Sequence, residues 1–206
     1  MLTIIDYGAS NLRSVVNAFE AIGHSARVTT DPRDLKDAPA IVLPGVGAFG
    51  DGMKNLRKLN FIEALNEEVI GKGKPYLGIC LGMQFLGKES PEDGQHQGLG
   101  WLPGTVKKIT PCDRSYKVPH MGWNNVAIER DCDLFSGLGP DPVFYFVHSY
   151  HLKIDEASPE AVTSTCWHGT KVISSIRYGN IMAVQFHPEK SQQAGLQLLK
   201  NFVDAV

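Results

Sequence analysis

The chain has 206 residues, 43% of them hydrophobic and 20% charged, with a formal net charge of −2; this is ordinary globular usage, long enough to bury a sizeable core without staples. No run of lysine or arginine forms a stripe, so the electrostatic footprint of a nucleic-acid binder is missing, and no apolar stretch approaches the ~18 residues needed to cross a bilayer. Met1 to Asp6 runs straight into an apolar segment with no basic leader or cleavage site, and Cys80, Cys112, Cys132 and Cys166 show no paired spacing; together these predict reduced thiols in a cytoplasmic protein.

Short apolar runs alternate with helix-period segments through the first half, the signature of βα units and a mostly parallel sheet. Leu2 to Asp6 reads as the first strand. Leu12, Val15, Val16, Phe19 and Ile22 follow at helical spacing, with Ser10 or Asn11 as N-cap and Gly23 past the end. Ala26 to Thr29 and Ala40 to Leu43 are the next strands, Phe61 to Ile70 a helix closed by Gly71, and Tyr76 to Ile79 a strand running into Cys80. From Gly98 onward strands with tight turns are predicted at Trp101 to Ile109, Phe144 to Tyr150, Ala161 to Trp167, Lys171 to Tyr178 and Ile181 to Phe186. A last helix, Gln192 to Val203, should pack through Leu196, Leu199 and Phe202. The expected fold is therefore α/β: an open, mostly parallel sheet flanked by helices, with an antiparallel C-terminal portion, in one domain spanning 1–206.

The sharpest local signal is Gly78-Ile79-Cys80-Leu81-Gly82-Met83-Gln84. A strand ending at a cysteine, flanked by glycines and followed by a helix, is the pattern of a nucleophile elbow with sulfur in place of serine oxygen. Such a turn exposes the thiol, sets it at a helix N-terminus where a thiolate is stabilised, and aims the Leu81 amide at a developing oxyanion. Gln84 shares the helix face and can reach a bound substrate. The competing reading is a buried core cysteine whose glycines serve packing.

A thiol nucleophile needs a base, and the base an orienter. Of the seven histidines, His187 follows a predicted strand and lies in His187-Pro188-Glu189, where the proline stiffens the link to a carboxylate. His148 and His151 are the rivals, with no carboxylate nearby until Asp155; His24, His96 and His168 sit in turn-like polar surroundings. Pro44-Gly45-Val46-Gly47-Ala48-Phe49-Gly50 satisfies G-x-G-x-x-G literally and offers the rival from another class, a dinucleotide-binding module. It sits on the third strand and precedes Asp51-Gly52-Met53, a poor helix start. Its other reading is that amides at Val46 and Gly47 complete an oxyanion hole opposite Leu81. No Cys/His cluster has the spacing of a zinc site.

These segments in this order resemble the class I (triad) glutamine amidotransferases, which carry an oxyanion strand, a G-x-C-x-G elbow and a late H-P-E. A narrower resemblance, to the glutaminase subunits of imidazole glycerol phosphate synthase, rests on Asp6-Tyr7-Gly8, Pro44 to Phe49, Pro119-His120-Met121-Gly122-Trp123-Asn124, Phe146 to Tyr150 and His187 to Ser191. The glutaminase of pyridoxal phosphate synthase, the alternative within the class, would show a Gly-Glu-Ser oxyanion segment, and none is present. The resemblance implies a Cys80, His187 and Glu189 triad, oxyanion donors at Val46 and Leu81, and substrate contacts from Gly47, Gln84, Ser149 and Tyr150. It further implies L-glutamine as substrate, no cofactor or metal, and a (β/α)₈-barrel cyclase as heterodimer partner in histidine biosynthesis. Pro119, Met121, Trp123, Asn124 and Lys190 would face that partner. The glycine-flanked Val46 suggests that its peptide must reorient before the oxyanion hole is complete. Cys112, Cys132 and Cys166 carry no role that the sequence argues.

Overall fold

A computed structural model of the chain describes residues 1–8, 11–155 and 158–206. Its centre is an eight-stranded sheet. Five strands run parallel: β1 (Leu2–Ile5), β2 (Ala26–Thr29), β3 (Ile41–Gly45), β4 (Tyr76–Cys80) and, a hundred residues further on, Ile181–Val184. The last of these is buried at every position, as are β1, β3 and β4. Strands covered on both faces read as unbroken apolar runs, which is why the sequence displays them clearly.

The alternation of side chains along these strands feeds two cores. Leu2, Ile4, Val42, Leu77, Ile79, Met182 and Val184 face one side, where Val15 and Phe19 of α1 (Leu12–Ala21) meet Leu198, Leu199 and Phe202 of the C-terminal helix Gln192–Asp204. Ile5, Ile41, Leu43, Tyr76 and Ile181 face the other, under α2 (Phe49–Lys58) and α3 (Phe61–Leu65). Each such aliphatic side chain contributes roughly 1.5–3 kcal/mol by leaving water, so the layers hold each other.

Asp51-Gly52-Met53, a poor helix start by sequence, lies inside α2, although Gly50 and Gly52 are weak helix formers. Both glycines are needed: a methyl on Gly50 would stand 2.5 Å from the His96 ring and one on Gly52 2.4 Å from Phe85. The helix expected over Phe61 to Ile70 is α-helical only to Leu65 and then widens into a π-helical turn, Asn66–Gly71. That turn carries Glu68 inward to the ammonium groups of Lys72 and Lys74, at 2.7 and 2.9 Å. In the C-terminal helix Leu199 and Phe202 are buried as expected, Leu196 packs partly buried against the same core, and Leu198 joins them fully buried. Of the two N-cap candidates for α1, Ser10 lies outside the described residues and Asn11 makes no capping bond with its side chain.

The second half holds α4 (Leu81–Gln84) and the remaining strands: β5 (Glu89–Ser90), β6 (His96–Gln97), β7 (Gly104–Lys108), β8 (His120–Asn125), β9 (Ala127–Ile128), β10 (Val143–His148), β11 (Tyr150–Ile154), β12 (Val162–Trp167) and β13 (Lys171–Tyr178), with Ile181–Val184 as β14 and the C-terminal helix as α5. The sheet order is β2-β1-β3-β4-β14-β13-β12-β9, its last three strands antiparallel. The strand expected over Phe144 to Tyr150 is two strands. β10 pairs with β8, β11 pairs with β7, and the chain changes partner at Ser149, whose carbonyl accepts from the Ile109 amide at 2.9 Å. These ribbons stand apart from the main sheet. No described helix is long and apolar enough to cross a membrane.

Candidate active site

β3, β4 and β14 lie side by side with one direction. Their carboxyl ends therefore deliver Gly45 to Gly47, Cys80 and His187 to a single edge, the place where open α/β sheets bind ligands. Cys80 has φ 54° and ψ −105°, a backbone state that costs a non-glycine residue about 1–3 kcal/mol and persists only where the surroundings impose it. The glycines on either side impose it. A methyl on Gly82 would stand 1.8 Å from the Leu43 carbonyl oxygen, and one on Gly78 2.7 Å from the Gly82 oxygen. α4 is a single turn, so the Leu81 amide, free at its start, acts on the site as a local donor rather than through a long macrodipole.

His187 is 2% exposed and held at both backbone ends: its amide donates to the Tyr145 carbonyl at 2.9 Å and its carbonyl accepts from the Ser191 hydroxyl at 2.6 Å. Its Nδ1 donates to Glu189 Oε1 at 2.7 Å, which places the ring proton on Nδ1 and leaves Nε2, buried and unpartnered, for the sulfur. Burial, the largest influence, disfavours the imidazolium; the charge and hydrogen-bonding reach of Cys80 and the Glu189 carboxylate outweigh it and raise the His187 pKa to about 10.

The rival bases lack this arrangement. His148 Nδ1 donates to the Tyr150 carbonyl at 2.8 Å, and its Nε2 lies 3.0 Å from Nδ1 of His120. His120 in turn stacks between Phe146 and His168 and accepts from the Asn124 amide at 3.1 Å. Both nitrogens of His148 are thus spent. Burial is the main cause that holds His120 at about 3, His148 well below the usual range and His151 at about 4, with the Lys153 ammonium adding to it at His151. Their stabilisation is complete above the unfolded value near 6.5 and lost as pH falls toward the folded ones; His187, with its raised pKa, has the opposite sign and loses its share as pH climbs through about 10. The thermal midpoint is expected to fall steeply between pH 6.5 and 4, and less steeply in His151→Gln. Parallel curves for the two proteins would contradict a neutral His151.

A cleft of about 170 Å³ opens over the sulfur. Of the residues singled out in sequence, Val46, Gly47, Cys80, Leu81, Gln84, Ser149 and Tyr150 line it. Gln84 spends its amide nitrogen on the Tyr150 carbonyl (2.8 Å) and on Gln185 Oε1 (3.1 Å), which leaves its oxygen for a ligand. Glu92 and His148 also line the cleft. Glu92 carries no sequence signal beyond its turn, Pro91-Glu92-Asp93-Gly94. Its Oε2 accepts from the Phe49 amide at 2.8 Å, and burial first, then Asp93, raises its pKa. Against a dinucleotide, the start of α2 inside Gly45-x-Gly47-x-x-Gly50, where a phosphate would bind, is taken by the protein's own carboxylate.

The residues expected to face a partner divide. Met121 and Trp123 are 62% and 50% exposed on one face of β8, and Pro119 and Lys190 are exposed as well. Trp123 meets the Tyr145 ring edge-on at 5.9 Å, and the Lys190 ammonium stands 5.8 Å over the same ring. Tyr145, which the sequence did not single out, thus joins them. Asn124 turns to the opposite face of β8, toward His120 and the Trp167 carbonyl. Among the described residues no group of His, Cys, Asp or Glu is arranged to hold a metal.

A strained cysteine beside a histidine–carboxylate pair, at the carboxyl edge of a mostly parallel sheet, defines a thiol enzyme of acyl transfer. The model of the glutamine amidotransferase class-I family matches residues 3–206. Imidazole glycerol phosphate synthase subunit HisH of Syntrophotalea carbinolica is 49% identical, covering 99% of this chain and 100% of that one; the HisH of Methanothermobacter thermautotrophicus is 48% identical over 100% and 99%. The fold is shared with PurLQS from Thermotoga maritima at a TM-score of 0.76 and 20% identity, over 99% of this chain and 97% of that one. The chain belongs to the class I glutamine amidotransferases and, within them, to the HisH family.

Proposed function

We propose that this chain hydrolyses L-glutamine to glutamate and ammonia through a thioester on Cys80, as the glutaminase subunit of imidazole glycerol phosphate synthase. The observation that carries the reading is the convergence on one cleft of Cys80, the Leu81 amide and the Glu92 carboxylate, with the His187–Glu189 pair behind the sulfur. The thiol proton passes to His187 Nε2, whose raised pKa holds it there, and the sulfur attacks the side-chain carbonyl carbon as thiolate. The oxyanion accepts from the Leu81 and Val46 amides. His187 then protonates the amide nitrogen, the C–N bond breaks and ammonia leaves. Water, deprotonated by His187, attacks the thioester; the C–S bond breaks, glutamate departs and the sulfur regains its proton. Glu189 holds the imidazole tautomer throughout.

Glu92 pairs with the glutamine ammonium, and Gly47, Gln84, Ser149 and Tyr150 hold the rest of the amino-acid end. A hydrogen bond to a charged group is worth about 1.5–3 kcal/mol, so Glu92→Gln, which keeps the bond to Phe49, is expected to raise KM about 10- to 100-fold with kcat little changed. Steady-state glutaminase kinetics check this; a fall in kcat at constant KM would remove Glu92 from substrate binding.

The face formed by Pro119, Met121, Trp123, Tyr145 and Lys190 docks a (β/α)₈-barrel cyclase in the cytoplasm, the 206 residues acting as one glutaminase domain. Ammonia passes to that subunit unprotonated, shielded from water, and is built into imidazole glycerol phosphate. The test is glutamate release by the chain alone and with the cyclase plus its ribulosyl ligand. Release that rises by orders of magnitude only with the liganded partner is expected. Release that ignores the partner would place the glutaminase in another pathway.

A further inference from the structure

Gln185 follows the last residue of β14 and precedes His187 by two positions, fully buried. Its side-chain nitrogen lies 3.6 Å from Cys80 Sγ and its oxygen 3.1 Å from Gln84 Nε2. We infer that Gln185 is a positioning residue for the nucleophile: its amide donates to the sulfur and thereby directs the thiol proton toward His187. The inference rests on the thiol-amidase reading of the cleft.

The direction of that donation is fixed by groups with no choice of role. The Tyr150 carbonyl can only accept, and it takes one hydrogen from Gln84 Nε2 at 2.8 Å. This identifies the Gln84 nitrogen, whose second hydrogen then meets Gln185, so the atom of Gln185 facing Gln84 must be its oxygen. The NH₂ of Gln185 is left facing the sulfur. With that lone pair engaged, the S–H cannot point at Gln185. His187 Nε2 is buried without a partner among the described residues and lies within reach of Cys80, so it is the atom placed to receive the proton. As charge grows on sulfur the same donor stays in place, and a charge-assisted bond is roughly twice as strong as a neutral one. His187 and Gln185 thus divide the work at the sulfur: one takes the proton, the other holds the atom.

The test uses Gln185→Met, which keeps the side chain's length and loses the donor, and Gln185→Asn, which keeps the amide but withdraws it by about one C–C bond, ~1.5 Å. Glutaminase kinetics are measured in the complex with the cyclase and its ligand, and iodoacetamide alkylation of Cys80 in the chain alone, with the exposed Cys112 as internal control. The expected result is a kcat about tenfold lower or more with KM within threefold, a matching slowing of Cys80 alkylation, and Cys112 alkylation unchanged. Variants that melt like the parent yet keep kcat and Cys80 alkylation within twofold would overturn the inference. So would a raised KM at constant kcat, which would assign Gln185 to substrate binding through Gln84. If the amidase reading itself fails, the parent releases no glutamate, while the alkylation rates still report whether Gln185 holds the sulfur.

Discussion

Cys80→Ala is expected to lower glutamate release by at least about 10⁴-fold, with the melting temperature little changed. Alanine keeps the Cβ and the strained turn that Gly78 and Gly82 impose, so the elbow survives while the attacking atom is gone. What remains is binding and oxyanion stabilisation alone, the residue of catalysis left when a triad member is removed elsewhere. Glu189→Gln should cost about 10³–10⁴-fold for a different reason. Glutamine has the same shape, but it can present an NH₂ to His187 Nδ1 in place of the carboxylate that now accepts at 2.7 Å. The ring proton then moves to Nε2, where it blocks acceptance of the thiol proton. Alkylation of Cys80 separates the two variants: only Glu189→Gln retains a thiol to modify. Substantial glutaminase activity in Cys80→Ala would move the nucleophile to another residue and dismantle the mechanism.

What the sequence displays follows from how the elements are buried. β1, β3, β4 and β14 are covered on both faces, and their apolar runs are plain to read. Helix α2 is hidden because its glycines are demanded by neighbours, His96 and Phe85, that lie far along the chain. The switch at Ser149 leaves no break in the apolar pattern, since both ribbons need alternating side chains. The segments around Val46, Cys80 and His187 can each be chosen as strand ends. That they share one edge is a consequence of the order β3-β4-β14, which local pattern does not encode. Glu92 and Gln185 are silent for the same reason: one looks like a turn residue and the other like the polar end of a strand until the cleft assembles around them. Asn124 belongs to a segment whose neighbours face outward, and only the pleat of β8 turns it inward.

Val46→Pro is expected to be silent alone and equally silent with the cyclase and its ligand, whereas Val46→Ala should still respond. Val46 is 37% exposed at the end of β3, so little packing is lost in either variant. Gly45 behind it is hemmed in, since a methyl there would stand 2.2 Å from the Tyr7 hydroxyl and 2.9 Å from Leu81. Gly47 ahead of it adopts φ +93° with open space around it. One side of the Val46 peptide pair is therefore wedged while the other is free, which lets the segment turn about Gly47. Proline removes the amide hydrogen at 46 and locks φ near −65°. Losing one oxyanion donor costs about 2.7–4 kcal/mol, or 10²–10³ in kcat, and no docked partner can restore a hydrogen that is absent. Alanine keeps the amide and the freedom. Cys80 alkylation should be unchanged in both, because sulfur and its neighbours are untouched, and this distinguishes a lost oxyanion donor from a disturbed elbow. Full activation of Val46→Pro would mean that Leu81 and some other donor suffice, and the segment after β3 would then serve binding of the amino-acid end alone.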